Sequence, residues 1–320
     1  MTPPPLDVLI LGDLNPDLVL TGDVVPRFGQ AEQLLDGADL LLGGSGAITA
    51  HGLARLGARV ALVAQVGPDA FGDLVLDILR AAGVDVTPVT RSASAGTGLS
   101  VILSDGDSRS TLTYLGAIDA APPPWSRPSD LPPARHLHVS SYYLQPQVAA
   151  ALPTLLPLAR AGGMTVSLDT NLDPTGAFAG LPEVLGLVDY LLPNATEVRG
   201  MAAALDPTAP GAHGDLVTAA ATVAAHGPTV VVKDGAAGAL LVRRDGTVRR
   251  DPGRPVRAVD TTGAGDTFDA GFLAALARGL GEAEALAWGT AAGRLATRAL
   301  GGTTAQPTLA ELLDDLAARP

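Results

Sequence analysis

The stretch Asp260-Thr261-Thr262-Gly263-Ala264-Gly265-Asp266-Thr267-Phe268-Asp269-Ala270-Gly271-Phe272 sets a carboxylate inside a turn built to hold an anion. Gly263 and Gly265 turn without a Cβ penalty, so N–H groups around Ala264, Gly265 and Asp266 can converge where a helix begins. The helix is read from Phe268, Phe272, Leu273, Leu276 and Leu280, which recur along one face. A helix start attracts anions. Asp266 would repel a bound phosphate unless its task were to take a proton from an incoming hydroxyl. A phosphate cradle with a base beside it points to phosphoryl transfer; the plainer alternative is a tight turn whose Asp or Thr caps a helix.

Three further groups could serve such a reaction. Asp13, Asn15 and Asp17 follow an apolar run, and in an extended segment they share a face, presenting acceptors and a donor to hydroxyl groups. The D-x-N-x-D spacing also fits a calcium loop, but Leu18 and Val24 stand where that loop needs Gly and Glu. Asn194 and Glu197 lie three apart at a helix start, where both can face one site; alone they read as a capping box. Lys233, the single lysine, precedes the turn Asp234-Gly235-Ala236-Ala237-Gly238 and is either a phosphate counter-charge or a snorkelling surface residue. His136 and His138 share a strand face without a third ligand at metal spacing, and a structural role is expected. Asp69 reads as a helix cap.

Asp260 to Phe272 resembles the D-T-T-G-A-G-D-x-F-x-A-G-F signature of the ribokinase-like sugar kinases, the PfkB family. The resemblance extends from Leu6 to Thr308, with its motifs in family order. It implies an anion hole at Gly263, Ala264 and Gly265 with Asp266 as catalytic base. It implies sugar contacts from Asn15 and Asp17, with Asp13 in the same row, and from the double glycine Gly43-Gly44 that opens Gly43-Gly44-Ser45-Gly46-Ala47-Ile48. It places ATP against Asn194, Lys233, Gly235, Gly238, Thr262 and Thr290, and Mg²⁺ near Glu197, which would order the metal's waters. Asp260 and Thr262, with the closing loop Gly301 to Thr308, would supply oxygens to a potassium-like ion. Two positions depart from the pattern: Ile48 replaces a sugar-holding Asn, and Asp173 replaces the Arg of D-x-N-x-R.

Positioning these residues requires strands that alternate with helices. The sequence reads as strands at Leu6–Leu11, Leu34–Leu42, Arg59–Val66, Val84–Val89, Thr97–Leu103, Ser110–Leu115, Arg135–Ser140, Met164–Leu168, Thr229–Val232 and Ala239–Arg243. Asp105-Gly106-Asp107 is a hairpin turn, and Ala120 to Pro133, with Trp125, is a loop. This alternation predicts an α/β fold with a mainly parallel central sheet and helices on both faces. The expectation is one ribokinase-like α/β domain over 1–320 with lid segments at about 14–42 and 95–117. In the resembled family that small β-sheet lid covers the sugar and often forms a homodimer contact.

Composition narrows the function classes. A chain of 320 residues with 47% hydrophobic content can bury a substantial core. It has no cysteine, so disulfides, thiolate metal sites and Cys nucleophiles are excluded. A formal charge of −12 without a basic patch argues against nucleic-acid or anionic-membrane partners. No apolar run reaches about eighteen residues. Met1-Thr2-Pro3-Pro4-Pro5 lacks signal-peptide character, so a cytoplasmic location is expected.

The resulting expectation is transfer of the ATP γ-phosphoryl group to a hydroxyl of a ribose-like or hexose-like sugar. A nucleoside (adenosine-like) kinase is the first alternative, although Phe28, Phe71 and Tyr114 are scattered instead of forming a platform. Arg27 and Arg109 keep a phosphosugar kinase open. A catalytically silent sugar- or nucleotide-binding regulator is the alternative from another class, and Asp266 counts against it.

Overall fold

The computed structural model describes residues 5–29, 32–105, 109–119, 131–208 and 214–318. In chain order come β1 (Leu6–Leu11), β2 (Asn15–Thr21), β3 (Gly37–Gly43), α1 (Ser45–Arg55), β4 (Val60–Val63), β5 (Gln65–Val66) and α2 (Ala70–Ala81). They are followed by β6 (Thr90–Arg91), β7 (Leu99–Ser104), β8 (Arg109–Tyr114), β9 (Ala134–Val139), α3 (Pro146–Ala161), β10 (Thr165–Leu168), α4 (Leu181–Leu185) and β11 (Tyr190–Leu191). The remainder is α5 (Ala195–Leu205), α6 (Leu216–Ala224), β12 (Thr229–Lys233), β13 (Gly238–Val242), β14 (Val248–Pro252), α7 (Ala264–Ala277), α8 (Glu282–Ala296) and α9 (Leu309–Ala317).

The apolar run of β1 is buried on both sides because it lies inside an eight-stranded sheet of order β14-β13-β12-β11-β10-β9-β1-β4. From β4 to β12 the pairings are parallel; β13 and β14 add an antiparallel edge. Strand alternation divides the core in two. Leu9 and Leu11 join Val148, Leu152, Val184, Met201 and Ala220 from α3 to α6 on one face. Val8 and Ile10 join Leu53, Val75, Phe272 and Leu286 from α1, α2, α7 and α8 on the other. Phe272 is fully buried, with Tyr190 edge-on at 5.4 Å and Phe268 stacked at 6.4 Å. Truncating such a ring to Ala costs about 3–5 kcal/mol, so the helix that follows the Gly263 turn is anchored by its own apolar face.

The second sheet has the order β3-β2-β7-β8. Its register puts Asp17, Ser100 and Thr113 in one row and Leu18, Val101 and Leu112 in the next, with Leu40 opposite Leu18. Successive rows point to opposite faces, so one face carries Leu18, Leu40, Val101 and Leu112, while the other carries Asp17, Ser100 and Thr113 together with the buried Val19 and Ile102.

Parts of the strand reading are corrected. Val84–Val89 forms no strand: the Asp85 carboxylate accepts from Thr87 N and Oγ1, and Val89 N closes a turn on Val86 O at 3.0 Å. Arg59–Val66 is two strands, because after Val63 the chain leaves the large sheet and Gln65–Val66 pairs with β6 instead. The stretch Leu34–Leu42 becomes extended only at Gly37. The turn at Asp105-Gly106-Asp107 and the loop Ala120–Pro133 with Trp125 fall largely outside the described residues. Asp69 does cap α2, accepting from Gly72 N at 2.9 Å.

Candidate active site

The parallel strands bring their carboxyl ends to one edge, where α/β sheets bind ligands. Asp13 follows β1, Asp169 and Asn171 follow β10, Asn194 follows β11, and Lys233 ends β12. Facing them is the start of α7. Gly263 is its N-cap in the left-handed region, φ 68°, and a methyl group there would meet Gly302 Cα at 2.6 Å, so only glycine fits. Ala264 N donates to Thr261 O at 3.2 Å and Thr267 N to Gly263 O at 2.8 Å. The N–H groups of Gly265 and Asp266 belong to the first turn, which has no intrahelical acceptors for them.

Asp266 is pushed up to about 7, first by burial and then by the charge of Asp169, against the pull of Lys233 and a hydrogen bond from Ser45. Ser45 Oγ in turn accepts from Asn171 Nδ2 at 2.8 Å, and the same amide reaches Ser141 Oγ at 3.2 Å. Asn171 and Ser141 both hold φ of 55°, a conformation uncommon outside glycine and sparsely populated enough to mark a constrained site. Asn171 was visible in its motif. Ser45 was not singled out as a site residue, since a serine after two glycines reads as an ordinary turn.

On the acceptor side Asp13, Asn15 and Asp17 are all buried and do come together. Asp13 Oδ1 accepts from Gly46 N at 2.9 Å, and Asn15 Nδ2 donates to Asp17 Oδ1 at 3.2 Å and Ser100 Oγ at 3.3 Å. Burial and the neighbouring Asp13 push Asp17 up to about 7, while Asn15, Ser100 and Arg109 oppose the rise. The double glycine explains how the chain wraps this row. A Cβ on Gly43 would lie 2.0 Å from Asp17 Oδ1, and Gly44 holds φ 83° with Asp13 O 2.9 Å from where its Cβ would be. Ile48 is buried, and a methyl on Gly302 would meet its Cδ1 at 2.6 Å. Asp173 is spent on structure, accepting from Thr175 N and Oγ1 and from Phe178 N.

Against the start of α7 lies a cavity of about 270 Å³. Lys233, Gly235, Gly238, Ala264, Gly265 and Thr290 line it, all of them predicted; Asn194 and Thr262 lie outside its lining. Gly293 and Thr297 also line it, and their spacing from Thr290 along one helical face was the signal for them. Arg254, after β14, carried no motif. Lys233 is no surface lysine. Its Nζ lies 2.7 Å from Asp169 Oδ2 and 3.1 Å from Asp269 Oδ2.

Glu197 and Asn194 form the capping box of α5: Glu197 Oε2 accepts from Asn194 N at 2.8 Å and Oε1 from Asn194 Nδ2 at 2.6 Å. Burial, with Asp169 nearby, pushes Glu197 up to about 7. Among the described residues no cluster of His, Cys, Asp or Glu has metal-ligand geometry, so a divalent ion would have to keep waters or phosphate oxygens as ligands. Asp260 Oδ1 accepts from Thr262 N and Oγ1, and Oδ2 from Gly301 N at 2.8 Å. Arg109 of β8 lies 3.6 Å from Asp260 and donates to Thr262 Oγ1 at 2.6 Å. His136 and His138 hydrogen-bond Ser167 in the core, and burial holds both below the usual histidine range. Gln306 of the closing loop donates to Ile48 O and Thr267 Oγ1, both at 2.9 Å.

The chain is similar to known proteins in sequence and in fold. The model of the pfkB family carbohydrate kinase matches residues 7–309. The fructokinase of Klebsiella pneumoniae is 34% identical over 316 residues, 92% of this chain and 97% of that protein. The ribokinase of Haemophilus influenzae is 30% identical over 314 residues, 96% of this chain and 97% of that one. The structure of Arabidopsis thaliana ribokinase complexed with ribose and ATP has a TM-score of 0.83 at 24% identity, over 99% of this chain and 100% of that chain. By the match over residues 7–309 and these identities over nearly its whole length, the chain belongs to the pfkB family of carbohydrate kinases, phosphotransferases that act on sugar hydroxyls.

Proposed function

We propose that the chain transfers the γ-phosphoryl group of ATP to a hydroxyl of a small ribose-like or hexose-like sugar, with Asp266 as general base. The observation that carries this is the position of Asp266. It stands on the first turn of α7, next to Gly265 in the nucleotide cavity on one side and Ser45, beside the Asp13 row, on the other.

The acceptor would be gripped by Asn15 and Asp17, with Asp13 beside them holding the start of α1 through Gly46 N. As the hydroxyl oxygen attacks the γ-phosphorus, the bond to the β–γ bridging oxygen breaks and the hydroxyl proton passes to Asp266. Backbone N–H groups of Gly265 and Asp266 meet the developing phosphate charge. Mg²⁺ bound with ATP would supply Lewis-acid charge neutralisation, and Glu197, whose carboxylate Asn194 holds, would order its waters. A monovalent cation at Asp260 and Thr262 belongs to the same proposal, although Arg109 already brings positive charge there.

The four-stranded sheet acts as the lid, its Ser100 row facing the acceptor, and the whole forms one domain. Its other face, where Leu40, Leu112 and Tyr114 are exposed, is the surface through which we place a homodimer. No helix among the described residues is long and apolar enough to cross a membrane, and we place the protein in the cytoplasm. Arg109, turned toward the row, favours as a second reading an acceptor with an anionic substituent.

The test is ADP release by purified protein over pentoses, hexoses, keto-deoxy acids, sugar phosphates and nucleosides, each with and without K⁺. Turnover that depends on one sugar class supports the reading. ATP binding without turnover on any acceptor points to a silent regulator.

A further inference from the structure

The kinase chemistry above leaves a buried charged triad without a task. Lys233 Nζ is held at 2.7 Å by Asp169 Oδ2 from the end of β10, and at 3.2 and 3.1 Å by both carboxyl oxygens of Asp269 on α7. The lysine and aspartate side chains are 11%, 5% and 1% exposed. Asp269 stands one helical turn after Asp266, so it points into the same interior but lies beyond the reacting hydroxyl. On its other side the ammonium meets the anion-hole turn: a methyl group on Gly265 would sit 3.6 Å from Lys233 Nζ. The cation thus lies close behind the Gly265 backbone that the kinase reading sets before phosphate.

We propose that Asp269 is a positioning residue for nucleotide binding: it fixes the Lys233 ammonium behind Gly265, where it serves as a built-in counter-charge to the ATP phosphates. The inference rests on the kinase reading and deepens it. An ammonium has three donors and a flexible four-carbon stem, and unheld it would relax toward solvent through the cavity it lines. Asp169 and Asp269 take those donors and set the direction of the stem. Two ionised carboxylates on one ammonium would leave a buried net negative charge, an expensive state beside an incoming phosphate. Burial raises Asp269 well above the usual carboxylate range, while Lys233 keeps Asp169 below it. The triad then carries no net negative charge to repel a phosphate, and the ammonium faces Gly265 as its positive end, with Asp269 acting through its oxygen as a hydrogen-bond acceptor and not through its charge.

That distinction makes the proposal testable by titration calorimetry with MgATP. Asp269→Ala and Asp269→Leu are expected to weaken MgATP binding roughly tenfold, the loss of one charge-assisted hydrogen bond, with the acceptor KM unchanged. Asp269→Asn, which keeps an acceptor oxygen without a charge, is expected to bind within about threefold of wild type. Wild-type affinity in both Ala and Leu variants overturns the proposal, and so does a tenfold loss in the Asn variant. Should neither truncation fold, the Asn result decides by itself. Wild-type protein that binds no MgATP would instead bring down the kinase reading, and this inference with it.

Discussion

Arg109 Nη1 of β8 donates to Thr262 Oγ1 at 2.6 Å, across 153 positions of sequence, and thereby ties the small sheet to the turn ahead of α7. In the proposed reading this contact is a polar latch that holds the lid at the phosphate side of the site. Arg109→Ala is expected to open it: water then competes with the acceptor. ADP release without sugar, relative to sugar-dependent release, should rise roughly tenfold. An unchanged ratio would show that the latch does not control water access.

Removing the base tests the chemistry directly. Asp266→Asn keeps the size of the side chain and loses its proton-accepting charge, so kcat is expected to fall by about 10²–10⁴-fold while MgATP affinity stays near wild type. Single-turnover assays beside calorimetry separate the two quantities, and a variant with full kcat would refute the assignment.

The pH profile carries a definite sign. Asp266 accepts a proton only when ionised, so kcat/KM should rise with pH through about 7 and level off above it. Stability runs the other way. The folded value lies above the ordinary 3.8, so the contribution of this group is present below 3.8 and is lost as pH climbs through about 7. Asp266→Asn should thus raise the Tm by a few degrees near pH 8 and hardly at all near pH 4, as differential scanning calorimetry at the two pH values would show.

Gly43 presses on Asp17. Because an added Cβ would fall 2.0 Å from Asp17 Oδ1, Gly43→Ala must displace either the carboxylate or the β3 end. The acceptor KM should increase at least tenfold while MgATP affinity is kept. A loss confined to ATP binding would mean that the row at Asp13 to Asp17 does not hold the acceptor.

The exposed apolar face of the lid predicts association. Leu112→Asp puts a charge among Leu18, Val101 and Leu40, and the protein is expected to sediment as a monomer where the wild type sediments as a dimer. A wild-type monomer would remove the lid contact from the account.

What could be seen beforehand divides along a physical line. The turn from Gly263 to Asp266 and the cap at Asn194 are local: their geometry follows from neighbours within one turn of chain, and the residue types state it. The lid rows were legible for the same reason, as alternation fixes which side chains share a face. Lys233 could not be resolved between surface and site, because its partners Asp169 and Asp269 lie 64 and 36 positions away on other elements. Nor could Ser45, whose meaning comes from Asn171 and Asp266 converging on it. The failure at Val84–Val89 is instructive: its valines have the composition of a strand, and one aspartate folding back on Thr87 outweighs them.

Gln306 gives the molecule a mechanical division of labour. By joining the backbone of α1 at Ile48 to the side chain of Thr267 on α7, it makes the two helices that flank the reacting groups into a single stiff frame. In the proposed reading, the frame would hold the reacting groups at a fixed spacing while the strands of the small sheet remain free to shift against it.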